Sequence, residues 1–343
     1  MPSLLYSGNT PSGWVRPVDW LSMPYVTASD QVFYGLIAVF NSTANYMALT
    51  ATGNYTIDWG DGSATENINS GVTAQHLYDY STLSSATLCS RGYKQAIIKI
   101  IPQSGQSLLS VDTNKKHSAV ISSSNLSPLL DIVCSCAASS TLGLTVGSSS
   151  TATPVYLESV YIFNGQNRLS TTNMFYQARS LANVNAFSCA AVTSANGMYQ
   201  SCYAMKGNFL PHHQFGSVLN ISSMFSNGGT WGEMPLYNFS TATNIDGIFS
   251  GSYVASLPAY NFSAVTSSIS AGTFGVAGLA IANFTGLGVT FSVANLNLSA
   301  AAINTLFTNL PTVTSKTVTV TGNPGAATCT TSIATTKGWT VVT

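Results

Sequence analysis

Charged side chains are scarce in this sequence. Asp, Glu, Lys and Arg make up 6% of its 343 residues, against about 25% in an ordinary soluble chain. The 11 basic and 11 acidic residues cancel to zero net charge. The densest basic spot is Lys115-Lys116 beside His117. Phosphate backbones are held by clustered Lys and Arg, so nucleic acid is not an expected partner. Long apolar runs are also missing. The strongest, around Val32–Phe40, falls far short of the ~20 residues of a membrane-crossing helix, so no membrane insertion is expected. The opening residues Met1-Pro2-Ser3-Leu4-Leu5 have neither a basic n-region nor a long apolar h-region. A secretory signal is therefore not expected.

Cysteine and histidine are equally sparse, at six and four. Cys89, Cys134, Cys136, Cys189, Cys202 and Cys329 include no pair with zinc-ribbon or thioredoxin spacing. They are expected to be mostly free, packed thiols of a chain made in a reducing cytosol. His76, His117, His212 and His213 fall in no H-E-x-x-H motif, and no G-x-S-x-G is present. His212-His213 has no acid or Cys close by to complete a metal site. Acids are absent between Glu158 and Glu233, which leaves that stretch without the paired carboxylates of glycoside hydrolysis. The expectation is no catalytic residue, no cofactor and no metal.

What the chain does have is 45% apolar residues among abundant Ser, Thr, Asn and Gly, so the composition is not that of a disordered chain. No charged residue lies between Asp246 and Lys316. Such a surface is either covered in an assembly or is the hydroxyl-rich coat of an extracellular β protein.

A degenerate repeat of about 25 residues runs through the second half. Its anchor is an apolar–aromatic pair followed three positions later by a small residue. It reads Met174-Phe175 with Ala178, Met198-Tyr199 with Cys202, Met224-Phe225 with Gly228, Ile248-Phe249 with Ser252, and Thr273-Phe274 with Ala277. A fixed period of this size implies a solenoid whose units bury their apolar faces against neighbours. Each unit closes on Asn-Phe-Ser/Thr, at Asn238, Asn261 and Asn283. These asparagines are expected to bond the backbone of the next rung. The Phe residues following them should form one internal stack and the Met-Phe pairs a second. The same three asparagines account for three of eight apparent glycosylation sequons, the others being Asn41, Asn54, Asn125, Asn220 and Asn297. Tyr199 is core by its repeat position. Tyr203, Tyr237, Tyr253 and Tyr260 are open between core and an outward sugar-stacking face.

The first half divides differently. Residues 1–30 form an irregular arm anchored by Trp14 and Trp20, expected to pack on its own domain or on a partner. Residues 31–103 alternate short β-branched and aromatic runs with Asn/Gly/Asp breakers, the pattern of an all-β module. Its densest motif is Asp58-Trp59-Gly60-Asp61-Gly62 after the alternating Tyr55-Thr56-Ile57. Asp58 and Asp61, with Glu66 the only other acid close in sequence, also admit a calcium-binding or acid/base reading. Residues 104–343 read as the solenoid, with a lead-in at 104–165, plain repeats at 166–300 and a C-terminal cap at 301–343. A short helix is expected at Ala300–Phe307.

The Trp59-Gly60-Asp61-Gly62 turn, followed by His76-Leu77-Tyr78 and Gly92-Tyr93, resembles the PKD family of immunoglobulin-like sandwiches. The resemblance implies a spacer or adhesion module, not an enzyme. The second half resembles BspA-like leucine-rich repeats, with their M-F-x-x-C/S-x-x-L core, which occur in bacterial surface proteins and phage appendages. Met198-Tyr199-Gln200-Ser201-Cys202 is the nearest unit; Thr273 replaces Met, and later units lose the Cys. The whole order, from Trp14-Val15-Arg16-Pro17 to Lys337-Gly338-Trp339-Thr340-Val341, resembles virion appendage proteins of tailed phages. The expected fold is mainly β: an immunoglobulin-like sandwich, then a leucine-rich-repeat-type solenoid with a C-terminal cap. The implied function is a non-enzymatic virion structural protein (fibre, decoration or tail appendage), made in the host cytoplasm. Its expected partners are other virion proteins, further copies of itself, and a host-surface glycan or protein receptor. The alternative is a microbial extracellular or cell-surface filament or adhesin; a polysaccharide depolymerase is the less favoured third reading.

Overall fold

The computed structural model describes residues 13–120, 125–136, 144–147, 152–163, 169–207, 210–276 and 278–343. The first twelve residues of the arm, the Ser148–Thr151 connector and the small-residue position Ala277 lie outside them. The chain is mainly β, with N-terminal sheets and a parallel β-solenoid of about eight turns from about residue 131 to the C-terminus. The strands are β1 (Val32–Val39), β2 (Tyr46–Thr52), β3 (Tyr55–Asp58), β4 (Glu66–Ile68), β5 (Ala74–Leu77), β6 (Lys94–Pro102), β7 (Ser110–Asp112), β8 (Asn125–Leu126), β9 (Leu129–Ser135), β10 (Leu144–Thr145), β11 (Ala152–Thr153), β12 (Ser159–Ile162), β13 (Asn183–Val184), β14 (Ser188–Cys189), β15 (Gln214–Phe215), β16 (Thr230–Glu233), β17 (Tyr253–Leu257), β18 (Ile281–Ala282), β19 (Phe291–Ser292), β20 (Lys316–Thr319) and β21 (Trp339–Val342). Helices α1 (Ala300–Asn309) and α2 (Ser332–Thr335) interrupt the last rungs.

Contacts divide the chain into two compact units: residues 1–168 with 174–188, and residues 169–173 with 189–343. In the first, a seven-stranded sheet runs β13-β12-β9-β1-β6-β3-β4 and a four-stranded sheet runs β10-β7-β2-β5. Strand β1 sits at the centre of the larger sheet and is buried almost throughout. Its sequence, VFYGLIAV, is correspondingly apolar on both faces. It pairs antiparallel with β6 and β9. Beyond β9 the sheet changes character, because β12 pairs parallel with β9 and β13 parallel with β12. Strand β9 is therefore both the last antiparallel neighbour of β1 and the first parallel rung. The sheets run on across the expected division between residues 103 and 104, since β7 pairs with β2 and β9 with β1. The free edge of an apolar central strand needs a partner, and the chain returns to supply it.

The arm contributes no strand among its described residues. It lays Trp20, Met23 and Val26 against Leu36, Ala38, Leu130 and Val133, with Trp14 and Leu21 at the margin. Strand alternation places Tyr34, Leu36 and Ala38 on one face of β1, and the arm covers that face.

The second unit is built of rungs linked by parallel bridges, Ser170 to Ser194, Ser194 to Asn220, and Asn220 to Asn244. Parallel sheets β16-β17-β18 and β19-β20-β21 continue it. Each plain rung turns through two left-handed residues four apart: Gly197 and Ser201, Ser223 and Asn227, Gly247 and Gly251. Asn173 and Gln177 repeat the pattern. Gly and Asn enter this region at low cost, whereas Ser and Gln are held there by their surroundings. Helix α1 matches the expected Ala300–Phe307 and runs two residues further. Ser299 caps it by accepting from Ala302 N. It buries Ile303, Leu306 and Phe307, and Lys337 Nζ donates to the carbonyls of Phe307, Thr308 and Leu310 at its C-terminal end.

Candidate functional site

The tryptophan turn lies where β3 ends. Trp59 is fully buried, its Nε1 donates to Glu66 Oε1 at 2.6 Å, and its ring stacks on His76 at 4.9 Å. Tyr78 OH donates to the Trp59 carbonyl. The turn thus ties β3 of the larger sheet to β5 of the smaller. Gly60 is left-handed, and a Cβ there would sit 2.2 Å from the Ile97 carbonyl oxygen, so only glycine fits. Gly62 is also left-handed. Asp58 accepts from Gly60 N. Asp61 accepts from Ser63 N and Oγ, and its other oxygen lies 2.7 Å from His76 Nε2. Burial pushes the Asp61 carboxyl up, but the bonds from Ser63 and His76 prevail and hold it below the ordinary value. The two aspartates are thus turn-forming groups. No cluster of three metal-ligating side chains occurs among the described residues.

In the solenoid the predicted anchors form aromatic columns. Tyr199, Phe225 and Phe249 stack within 9° of parallel at 6.0 and 5.7 Å. The phenylalanines after Asn238, Asn261 and Asn283 form the second column: Phe239 to Phe262 at 6.4 Å and Phe262 to Phe284 at 5.8 Å. The columns meet where Phe274 stacks on Phe284 at 4.7 Å. Met174, Phe175, Met198, Met224 and Ile248 are all buried. The small-residue position is a packing device: Ala178 and Cys202 are fully buried. At Gly228 a Cβ would meet the Trp231 ring at 2.4 Å. Ser252 Oγ fills the next slot, donating to the Phe225 carbonyl at 2.6 Å and accepting from Gly228 N. Cys202 is therefore placed as a filler, as its slot suggested. Cys89, Cys134, Cys136 and Cys189 are buried as well, and Cys329 is half-buried.

The asparagine ladder is a correction. Asn238 and Asn261 are exposed, and their side chains accept from Ser240 and Ser263 two residues on. An Asn followed by a Ser closes its own Asx turn more readily than it reaches 4.8 Å to the next rung. Asn283 is half-buried and accepts through its backbone carbonyl from Asn309 Nδ2. The rung-to-rung asparagine bonds come from other positions. Asn196 Nδ2 reaches Ser222, Asn185 exchanges two bonds with the backbone of Ile162, and Asn323 Nδ2 reaches the Val293 carbonyl.

The tyrosines separate cleanly. Tyr237 and Tyr260 are core, donating to the carbonyls of Pro211 and Pro235 in the preceding rung at 3.0 and 2.7 Å. Burial pushes both phenols well up. Tyr199 is core, its hydroxyl 2.5 Å from the buried His213; His212 is exposed. Tyr203 and Tyr253 are exposed, at 50% and 42%. They occupy one column: the Tyr203 backbone lies against Gly229, whose carbonyl accepts from Tyr253 N. The Tyr253 ring lies against Gly278, where a Cβ would come within 2.3 Å of it.

One cluster escaped the sequence reading. Trp14 Nε1 donates to Glu158, and Arg16 Nε pairs with the buried Asp131 at 3.0 Å. Arg91 pairs with the other Glu158 oxygen. The guanidinium groups of Arg16 and Arg91 each lie 5.5 Å from the centre of the Trp20 ring. Burial pushes the Asp131 carboxyl up, and Arg16 pulls it partly back. Trp14 and Trp20 were the visible signal; Arg16 is near them in sequence, but Arg91, Asp131 and Glu158 stand more than 70 positions away. Compared with protein-family models, curated proteins and solved structures, the chain matches none.

Proposed function

We propose that this chain is a non-enzymatic structural protein of a phage virion, acting as fibre, decoration or tail appendage. In this reading the N-terminal sheets are a PKD-like, immunoglobulin-like spacer, and the solenoid is of the BspA-like leucine-rich-repeat type, closed by a cap built on α1 and α2. One observation carries the reading. The polar groups at the tryptophan turn and along the rungs are spent on holding backbone or one another, while Tyr203 and Tyr253 stand outward in one column of a charge-poor scaffold. Rigid amphipathic rings on a fixed scaffold suit stacking on sugar or protein surfaces at little entropic cost. The partners are other virion proteins, further copies of the chain, and a host-surface glycan or protein.

Immunogold labelling with an antibody to this chain tests the reading. Gold is expected on the head or tail of intact particles from a lysate. Gold confined to the host or producer cell envelope would sink it. That outcome would favour the second reading, a microbial surface filament or adhesin, which the same exposed tyrosine column supports.

A further inference from the structure

One position of the repeat, directly after the small residue, is filled in successive rungs by Tyr203, Gly229, Tyr253 and Gly278. Ring and glycine thus alternate with a period of two rungs. At ~4.8 Å per rung of parallel strand, equivalent positions two rungs apart stand ~9.6 Å from each other. Both rings face outward, Tyr203 at 50% and Tyr253 at 42% exposure. Tyr253 is seated against Gly278, where a Cβ would come within 2.3, 2.5 and 2.7 Å of its Cε2, Cζ and hydroxyl oxygen. Only glycine leaves the ring that place, so its orientation is fixed before anything binds. Beside the rings the partly or fully exposed positions are small or hydroxylated: Ala204, Thr230, Gly232 and Ala255. Thr230 stands in register with Tyr253 on the neighbouring rung. Lys206 and Glu233 supply one charge of each sign, and residues 247–315 supply none.

We propose that Tyr203 and Tyr253 form a binding site for a neutral, extended, β-linked glycan, with alternate sugars stacked on the two rings and the sugar between them passing over Gly229. In an extended β-(1→4)-linked chain each sugar is turned over relative to the one before. The same ring face therefore recurs at every second sugar, a repeat that matches two rungs of the solenoid. The C–H face of a sugar ring meets the negative face of an aromatic ring favourably, and the Thr230 hydroxyl offers a donor and an acceptor to sugar hydroxyls. An acidic glycan is a poor fit, because Glu233 cancels the charge of Lys206. A protein partner is a poor fit too, because small and hydroxylated side chains around two rings lack the broad apolar centre of a protein interface. The inference rests on the host-adhesion part of the function proposed above.

Equilibrium dialysis of the full chain against fluorescently labelled cellohexaose tests it, with maltohexaose as the curved, α-linked counterpart. The chain should retain cellohexaose and not maltohexaose. Tyr203→Ala and Tyr253→Ala should each weaken retention by ~3- to 10-fold, the worth of one aromatic stack. Tyr253→Phe keeps the ring and should bind as the wild type does, which separates loss of the stack from any disturbance at Gly278. No retention of cellohexaose overturns the site. If the immunogold label still falls on particles, the virion reading stands without it. Equal retention of maltohexaose overturns the two-rung match. Undiminished retention by a chain carrying both Tyr203→Ala and Tyr253→Ala overturns the assignment to these rings.

Discussion

The two units of this protein solve the same problem, cohesion with few charges, in opposite ways. The N-terminal unit gathers its charges at points of non-local contact. Arg16 meets Asp131 and Arg91 meets Glu158 across 115 and 67 residues of chain. The second unit spans residues 247–315 without one charged side chain. It is held by backbone ladders and aromatic columns that repeat the same contact from rung to rung. The difference is one of topology. A sheet that joins distant strands must specify which strand goes where, and charge pairs and a shaped turn do that. In a solenoid each rung meets only its neighbours, so a periodic apolar pattern suffices.

That contrast can be broken experimentally. Phe225→Ala should have the largest effect, because the ring is fully buried and stacks on both Tyr199 and Phe249. A loss of about 3–5 kcal/mol is expected. Hydrogen exchange followed by mass spectrometry should place it in residues 189–343 while β1 and β6 stay protected. Equal loss in both units would show that the two cohesion schemes are coupled. Arg16→Ala should cost about 3 kcal/mol, the lower end for a broken buried pair. It should act in the first unit alone, read as faster exchange in β1, β9 and β12. Gly228→Ala forces a methyl against the Trp231 ring and should cost about 1–3 kcal/mol by overpacking. Urea unfolding followed by Trp fluorescence would detect it. Cost-free accommodation would mean that the small-residue position is not a packing constraint.

The smallest effect is on pH dependence, and its sign differs between one aspartate of each unit, Asp246 and Asp131. Asp246 accepts from Ser270 N and is held below the ordinary carboxylate value of 3.8. Its contribution is present above that value and is lost as pH falls through the lower native one. Burial raises Asp131 above 3.8. Its proton binds more tightly in the native chain, so its contribution grows as pH falls through the raised value and fades as pH rises. Relative to the wild type, Asp246→Asn should therefore flatten the acid loss of stability, and Asp131→Asn should steepen it. Melting series between pH 3 and 6, on the order of a pH unit either side of the usual carboxylate range, would compare the two. Changes of slope of the same sign in the two variants would refute the contrast.

Much of this architecture is legible in the sequence. The β runs at Val32–Phe40, Tyr46–Thr50 and Gln95–Ile101 are strands, and the period of Met-Phe pairs became a column of buried rings. Both signals are local or periodic, so they survive in one dimension. Within the turn, the glycines and aspartates of Asp58–Gly62 announced themselves, because left-handed backbone and Asx bonds are short-range demands. The asparagine position misled because its sequence spacing fits two geometries, a turn closed on itself and a bond to the next rung. The left-handed pairs such as Ser223 and Asn227 were hidden behind ordinary polar residues.

The sequence alone determined the class of structure: mainly β, a solenoid with a rung of about 25 residues, and small side chains wherever an aromatic must pass. Those follow from alternation, period and steric size, all properties of neighbours along the chain. Only the tertiary structure decided that β9 closes the antiparallel sheet and starts the parallel rungs. It alone brought Trp14, Arg16 and Trp20 onto Asp131, Glu158 and Tyr93, and it alone divided the tyrosines into buried Tyr237 and Tyr260 and outward Tyr203 and Tyr253. Each of these depends on which distant segments meet, and that is settled by the burial of whole faces, not by any local preference.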